Sequence, residues 1–555
     1  SRMGRPEKAK LRKLIGSPNV LFPIGEQGGR FRSVGAAVEA EFIKADFPNY
    51  FCEKCEKETI YNKCEDCGGV PKLTKICPVC SKKTDEDICD CRGEEGVNTR
   101  KYSFRKIDSK HYFKKSLEHL GIERREVPEL IKGIKRTSST DRDFENLAKG
   151  ILRSKYNVHV NKDGTIRYDA TEMPVSHFYP SEIGISVDKL QEQGYVKDIN
   201  GKELVSENQL LELKPHDIIL PSCPDTKDER ADDLFANIAN FVDELLEKFY
   251  KLPRHYNIKS REDLVGQLVV CMAPHNCAGV IGRIIGFSKN QGLMASPFIH
   301  AAMRRDCDGD EAAVMLLMDV LINFSRKFLP AHRGGTQDAP LVLNAHIRAG
   351  EVDDQILDFE TCWNYPLDLY RKAEEGKHSS EVEIETVKTR LAKGECPFTN
   401  IGFTHKSSDF NLGITNSSYK FLPTMKDKVR EQMDLVVKLR AADSGDVARL
   451  VVDRHFIRDI RGNLRKFSQQ QFRCVKCNEK FRRPPMVGVC TKCQGKIIFT
   501  ISEGSIKKYL EPAIELAENF DIPEYTKQGL ELTKVYIESI FGRDAEKQEE
   551  LKKWF

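Results

Sequence analysis

Between Asp232 and Tyr250, apolar residues recur at helical spacing: Leu234, Ile238, Phe241, Leu245 and Phe249 fall on one stripe, which predicts a core-facing helix. Two unbroken apolar runs, DIIL at 217–220 and QLVVCM at 267–272, are too short for such a helix and read as buried strands. A further helix is predicted over 424–440 and a helical tail over 501–555, whereas the glycines of GEQGGR at 25–30 favour a loop. The least polar stretch is 265–350, and its AAVMLLM at 312–318 is the longest uncharged apolar run. A bilayer span needs about twenty such residues, so no membrane segment is expected. The pattern as a whole predicts a mixed α/β chain, and 555 residues exceed what one core organises.

A net charge of +4 says little about partners, but its distribution says more. Six basic residues stand against one acid in SRMGRPEKAKLRK at 1–13. Arg465, Lys466, Arg473, Lys476, Lys480, Arg482 and Arg483 form a second patch around the lone acid Glu479. Both patches suit a polyanion, although a solvated lysine-rich face has the same composition.

Twelve of the 18 cysteines are clustered. Cys52, Cys55, Cys64 and Cys67 are spaced CxxC-x8-CxxC, and Cys474, Cys477, Cys490 and Cys493 are spaced CxxC-x12-CxxC. Two sulfurs from each of two tight turns can surround Zn(II) tetrahedrally, and four thiolates close the site to substrate, so both ions are expected to be structural. Lying between these in the chain, Cys77, Cys80, Cys89 and Cys91 make a less regular set whose CxC end strains the usual turn, so two to three zinc ions are expected. The scattered Cys223, Cys271, Cys277, Cys307, Cys362 and Cys396 are expected to be small buried hydrophobes.

The run MRRDCDGDEAAVM at 303–315 sets Asp306, Asp308 and Asp310 at alternate positions against an apolar segment. Glycine within DGD allows a turn that brings carboxylates together, and converging carboxylates repel unless a cation sits among them. Hard oxygen ligands suit Mg(II) or Mn(II), an arrangement used in phosphoryl chemistry. A surface turn with scattered acids is the bland alternative; the basic pair Arg304 and Arg305 and the apolar anchor tilt the reading toward a site.

DCDGDE resembles the metal-binding signature of the two-barrel polymerases, the group that includes multisubunit RNA polymerases. APHNCAGVIGRIIGF at 273–287, PFIHAAMRRDCDGDEAAVMLLMD at 297–319, RGGTQDAPLVLNAHI at 333–347 and MGRPEKAKLRK at 3–13 more narrowly resemble the large subunit of archaeal family-D DNA polymerase. The resemblance implies a DNA-templated DNA polymerase working between two double-psi β-barrels by two-metal phosphoryl transfer. Asp308 and Asp310 match the catalytic metal ligands. Asp306 stands where family-D enzymes commonly have asparagine. Lys10 and Lys13, with Lys8 and Arg5, match residues that approach the incoming nucleotide, and Arg304, Arg305 and Arg333 join them as nucleotide or DNA contacts. His275, Asn276 and His300 lie in matching motifs without an assigned role. QEELKKWF resembles a sliding-clamp (PCNA) binding peptide through Gln548, Leu551, Trp554 and Phe555.

The implied architecture is a mixed α/β chain with a double-psi β-barrel catalytic core, zinc-ribbon modules and helical accessory regions. Its expected parts are a basic segment contributing to the catalytic region (1–50), zinc modules (51–100) and an α/β accessory region (101–264). The catalytic barrel (265–350), a mainly helical region (351–465), a zinc ribbon (466–500) and a helical tail with the clamp peptide (501–555) follow. Implied partners are primer-template DNA, deoxynucleoside triphosphates, the small exonuclease subunit and the sliding clamp, in a cytoplasmic, nucleoid-associated setting. The chain opens inside a family motif and lacks the first barrel, so the N-terminal half of the large subunit is a further expected partner. A split gene, an intein product or a trimmed fragment would each explain that start. Two rivals stand beside this reading: a transcribing RNA-polymerase-like two-barrel enzyme and a non-catalytic zinc-ribbon DNA-binding scaffold.

Overall fold

Seven-residue strands β1 (Phe42–Pro48) and β2 (Tyr102–Asp108) pair antiparallel along their whole length, from Phe42 opposite Asp108 to Pro48 opposite Tyr102. The computed structural model describes residues 17–28, 31–91, 96–332, 334–404, 406, 408–475, 479–498 and 501–542. The first two cysteine clusters lie between β1 and β2 in the chain, so one long hairpin base carries both. Alternation along β1 buries Ile43, Ala45 and Phe47, and Phe47 and Phe22 meet Phe144 edge-on at ring separations of 5.5 and 5.4 Å. Helix α1 (Leu147–Lys155) starts at Asn146, whose side chain accepts the Ala148 N–H. It carries the fully buried Arg153, paired through both guanidinium arms with Glu145 at 2.8 and 2.9 Å.

The apolar runs in the middle of the chain form one sheet that closes on itself. Its strands are β3 (Tyr168–Pro174), β4 (Asp217–Pro221), β5 (Leu268–Met272), β6 (Ala278–Ser288), β7 (Gly292–Ala295) and β8 (Glu311–Leu316). They are ordered β4-β7-β3-β8-β5-β6, and β6 pairs back onto β4. A short β9 (Val342–Asn344) adds to β6. Within the ring the pairs β3–β7 and β4–β6 are parallel and the other four are antiparallel, and β9 joins β6 in parallel. Exchanging β3 with β6, β4 with β7 and β5 with β8 returns the same set of pairings. The ring therefore begins at Tyr168, upstream of the 265–350 stretch that the sequence pattern marked out, and takes two strands from the region expected to be accessory.

Close approach shapes the ring at Gly286, where a Cβ would lie 2.8 Å from the Ile183 side chain. The helix expected at Asp232–Tyr250 is α2 (Ala231–Glu244), continued by a π-turn over Leu245–Phe249. Its buried Leu234, Phe235, Ile238, Phe241 and Val242 share one core with the ring strands. A six-residue helix, α3 (Pro297–Ala302), opens with the Ser296 hydroxyl accepting the Phe298 N–H.

The described residues from Ser417 onward form a second compact unit. Helices Met425–Lys438, Ile457–Gln469, Leu510–Asn519 and Glu524–Phe541 surround a core in which Phe456 stacks on Tyr509 at 5.3 Å. The third cysteine cluster sits on a small sheet of three strands, Phe472–Cys474, Lys480–Phe481 and Ile497–Ile498.

Candidate active site

Strand register brings three chain segments to one rim of the ring. Met272 pairs opposite Ala313 and Thr171 opposite Glu311. The loop after β5, the end of β3 and the acidic loop before β8 therefore adjoin. The acidic loop turns through left-handed backbone at Arg304 (φ 64°), Cys307 (φ 62°) and Gly309 (φ 100°). Only the glycine adopts such a conformation without a Cβ clash.

Because the loop coils rather than extends, the carboxylate oxygens of Asp308 and Asp310 come within 4.8 Å of each other and of a third acid, Glu172 on β3. Asp306 stays outside this convergence. The Glu172 N–H donates to the Asp310 carbonyl at 2.9 Å, fixing strand to loop. The Glu172 side chain is fully buried, with His300 Nδ1 of α3 at 3.0 Å from its Oε2. That is an ion-pair distance, but the alignment is not that of a hydrogen bond. Neither carboxylate oxygen of Glu172 and neither ring nitrogen of His300 has a hydrogen-bond partner among the described residues.

Arg305 Nη1 lies 3.0 Å from Asp310 Oδ2 and offsets part of the negative charge. Burial, together with the negative charges of Glu172, Asp306 and Asp308, pushes the Cys307 thiol up to about 12. Three converging acids, one of them the unsatisfied buried carboxylate of Glu172, fit a hard divalent cation, which would repay their repulsion and the desolvation of Glu172.

Sequence reasoning missed Glu172. Its signal was faint: Tyr168, Ala170 and Glu172 are the buried alternate positions of β3, so an acid occupies a phase that otherwise carries core residues. At the same rim, Asn276 Oδ1 accepts the N–H groups of Cys277 and Ala278 at 2.7 and 3.1 Å, which shapes the turn. The His275 N–H donates to Asp338 at 2.6 Å. Partial burial works against Asp338, but that N–H, Arg167 and Lys162 hold its carboxyl below the usual range. Arg304 is exposed beside the acidic loop. Lys10, Lys13, Lys8, Arg5 and Arg333 lie outside the described residues, as do Gln548, Leu551, Trp554 and Phe555.

The sulfurs of Cys52, Cys55, Cys64 and Cys67 lie within 4.8 Å of one another, as do those of Cys77, Cys80, Cys89 and Cys91. The irregular CxC ending therefore does not keep the second set apart. Cys474, Cys490 and Cys493 converge likewise, and Cys477 lies outside the described residues. Backbone N–H groups in the tight turns favour one thiolate in each set, that of Gly69 helping to bring Cys67 down to about 7 and that of Cys80 helping to bring Cys77 down to about 6, whereas the Cys67 sulfur pushes Cys55 and burial pushes Cys91 up to about 12. Sets of four sulfurs with such turns fit Zn(II).

A further group, Glu65, Asp66 and His111, is already neutralised, with Lys57 on both acids and Lys115 at 3.1 Å from Asp66. The scattered cysteines depart from expectation. Cys223 and Cys271 are buried, but Cys277 and Cys396 are exposed and Cys307 and Cys362 are half-buried, because these four lie in loops outside the packed strands and helices.

Residues 123–428 match the family "DNA polymerase II large subunit DP2, catalytic domain", and residues 1–110 match its central domain. The chain is 45% identical over 558 residues to the DNA polymerase II large subunit of Archaeoglobus fulgidus, covering 99% of this chain and 48% of that protein. It is 43% identical over 578 residues to the protein of that name from Nanoarchaeum equitans, covering 98% and 46%. It is 43% identical over 551 residues to that from Pyrococcus furiosus, covering 98% and 42%. The chain thus spans about half the length of the curated relatives it matches. Among the described residues no helix is long and apolar enough to cross a membrane.

Proposed function

Because this chain belongs to the DNA polymerase II large subunit DP2 family, we propose that it carries the nucleotidyl-transfer centre of a DNA-templated DNA polymerase, built on Asp308 and Asp310. The observation that carries this reading is the convergence of those two carboxylates at one rim of a closed strand ring, within the residues matched to the catalytic domain. We read the ring as a double-psi β-barrel. Support comes from its pairing pattern, in which two parallel strand pairs exchange under an internal two-fold relation.

In this reading Asp308 and Asp310 hold Mg(II) or Mn(II). Two-metal phosphoryl transfer would use the ion held there to lower the pKa of the primer 3′-hydroxyl, with a second ion at the nucleotide phosphates to offset charge on the leaving pyrophosphate. The chain's own contribution is placement. The loop's left-handed turns aim the two carboxylates at one point, and the hydrogen bond from the Glu172 N–H ties the loop to the ring. Arg305 moderates the acids' mutual repulsion, and Arg304, exposed beside them, meets phosphate. Lys10, Lys13, Lys8, Arg5 and Arg333 complete the cationic surroundings for nucleotide and DNA.

The cysteine clusters hold structural Zn(II). Partners in this reading are primer-template DNA, deoxynucleoside triphosphates, the N-terminal half of the large subunit and the small exonuclease subunit. A sliding clamp engages Gln548, Leu551, Trp554 and Phe555, in a cytoplasmic, nucleoid-associated setting.

Primer extension with the double variant Asp308→Asn/Asp310→Asn, assembled with the remainder of the large subunit and the small subunit, tests the assignment. Incorporation falls by at least about 10³-fold, corresponding to several kcal/mol of transition-state stabilisation. Zinc content and DNA binding stay as in the wild type. Retained synthesis overturns the reading.

A further inference from the structure

We propose that Glu172 is the third carboxylate of the acidic centre and a direct ligand to the divalent cation held there. The inference rests on the reading of Asp308 and Asp310 as a cation site and adds a ligand from a different strand. Glu172 occupies an inward position of β3, in phase with the buried Tyr168 and Ala170. Packing alone would fill that position with an apolar side chain. A carboxylate desolvated there needs compensation, and the protein supplies little of it. Among the described residues both oxygens lack a hydrogen-bond partner, and His300 Nδ1, at 3.0 Å from Oε2, is poorly aligned.

The carboxylate reaches instead toward the acids: its oxygen lies within 4.8 Å of those of Asp308 and Asp310. Placement is rigid on this side of the centre. Thr171 pairs opposite Glu311, and the Glu172 N–H binds the Asp310 carbonyl at 2.9 Å, so strand and acidic loop share one frame. The two aspartates stand on an exposed turn, whereas Glu172 stands on the closed ring. A fixed oxygen ligand from the ring, completed by two from the loop, gives a hard cation three anionic oxygens on one side and leaves the other side open. His300, packed behind Glu172, acts as a positioning residue that limits how the carboxylate swings.

Cation binding to the full chain, measured without substrate, tests this. Mn(II) affinity is read from the electron paramagnetic resonance signal of the free ion. The number of waters on Eu(III) is read from its luminescence lifetimes in H2O and D2O. Asp308→Asn and Glu172→Gln are each expected to weaken the tightest Mn(II) site by about 10–100-fold. Glu172→Gln is also expected to add about one water to the Eu(III) bound there.

Wild-type affinity in Glu172→Gln, with binding lost in Asp308→Asn, overturns the role of Glu172 and leaves the aspartate centre standing. Wild-type affinity in Asp308→Asn overturns the centre itself. Weakened Mn(II) binding with an unchanged water count makes Glu172 a supporting group and overturns its role as a ligand. If Glu172→Gln loses zinc or its native circular dichroism, Glu172→Asp serves instead. It keeps the charge but draws the oxygens back, so weaker Mn(II) binding with an added water supports the inference and wild-type values overturn it.

Discussion

His177 shows how a single half-buried side chain can set a pH response. Its ring lies 4.9 Å from that of Phe403 and 6.1 Å from that of Trp363, and its buried Nε2 has no hydrogen-bond partner among the described residues. Burial pulls its pKa down to about 4. The folded state therefore prefers neutral imidazole more strongly than the unfolded chain, whose histidine titrates near ~6.5. The resulting stability is fully present above pH ~6.5 and is lost as pH falls through ~4, by at most about 3 kcal/mol. Urea unfolding followed by Trp363 fluorescence, in a Trp554→Phe background, is expected to show this loss between pH 7 and pH 5. His177→Phe flattens the difference, and an equal slope in that variant would place its origin elsewhere. Arg153 illustrates the opposite solution to buried charge. Its guanidinium meets Glu145 through both arms and also donates to the carbonyls of Asn19 at 3.2 Å and Gly164 at 2.9 Å, so the charge is hydrogen-bonded on several sides.

Among the elements, the cysteine modules are those whose local sequence most nearly dictates their structure. Two tight turns at regular spacing bring four sulfurs together over a short stretch: the Cys52 set converges between β1 and β2 as its spacing predicts, and the Cys77 set converges there despite its CxC end. Removing one sulfur leaves an incomplete tetrahedron. Cys64→Ser is expected to lower zinc content by one ion per chain, read by metal analysis. It also speeds proteolysis between β1 and β2 and leaves Mn(II) binding at the acidic centre unchanged. Unaltered zinc content would mean that this cluster holds none. The predicted helices were equally legible, because apolar stripes at helical period have one way to face a core; α2 and Met425–Lys438 lie where the pattern puts them. The acidic loop is different. The glycine of DGD suggests a turn that gathers carboxylates, but only the structure shows that Asp308 and Asp310 converge while Asp306 does not.

For the whole molecule, the question is whether these residues suffice for catalysis. The chain covers 48% of the Archaeoglobus fulgidus relative. The family resemblance implies a second barrel facing the acids, in the other half of the large subunit. Primer extension by this chain alone is therefore expected to be weak or absent, and adding the N-terminal half and the small subunit is expected to restore it. Robust synthesis by the isolated chain would show that the second barrel is dispensable.

Sequence by itself determined what depends on near neighbours: the sulfur sets, the apolar stripes, the DGD turn that gathers Asp308 and Asp310 and the family resemblance those motifs carry. Spacing along the backbone settles such features over a few residues, where chain geometry leaves few options. Tertiary structure decided what depends on pairing between distant segments. Closure of β6 onto β4, the recruitment of β3 and β4 from upstream of the expected barrel, and the arrival of Glu172 beside acids more than a hundred residues away are of this kind. Strand register and ring closure are collective outcomes of burying many side chains at once, and no local pattern around Glu172 encodes which loop it will face.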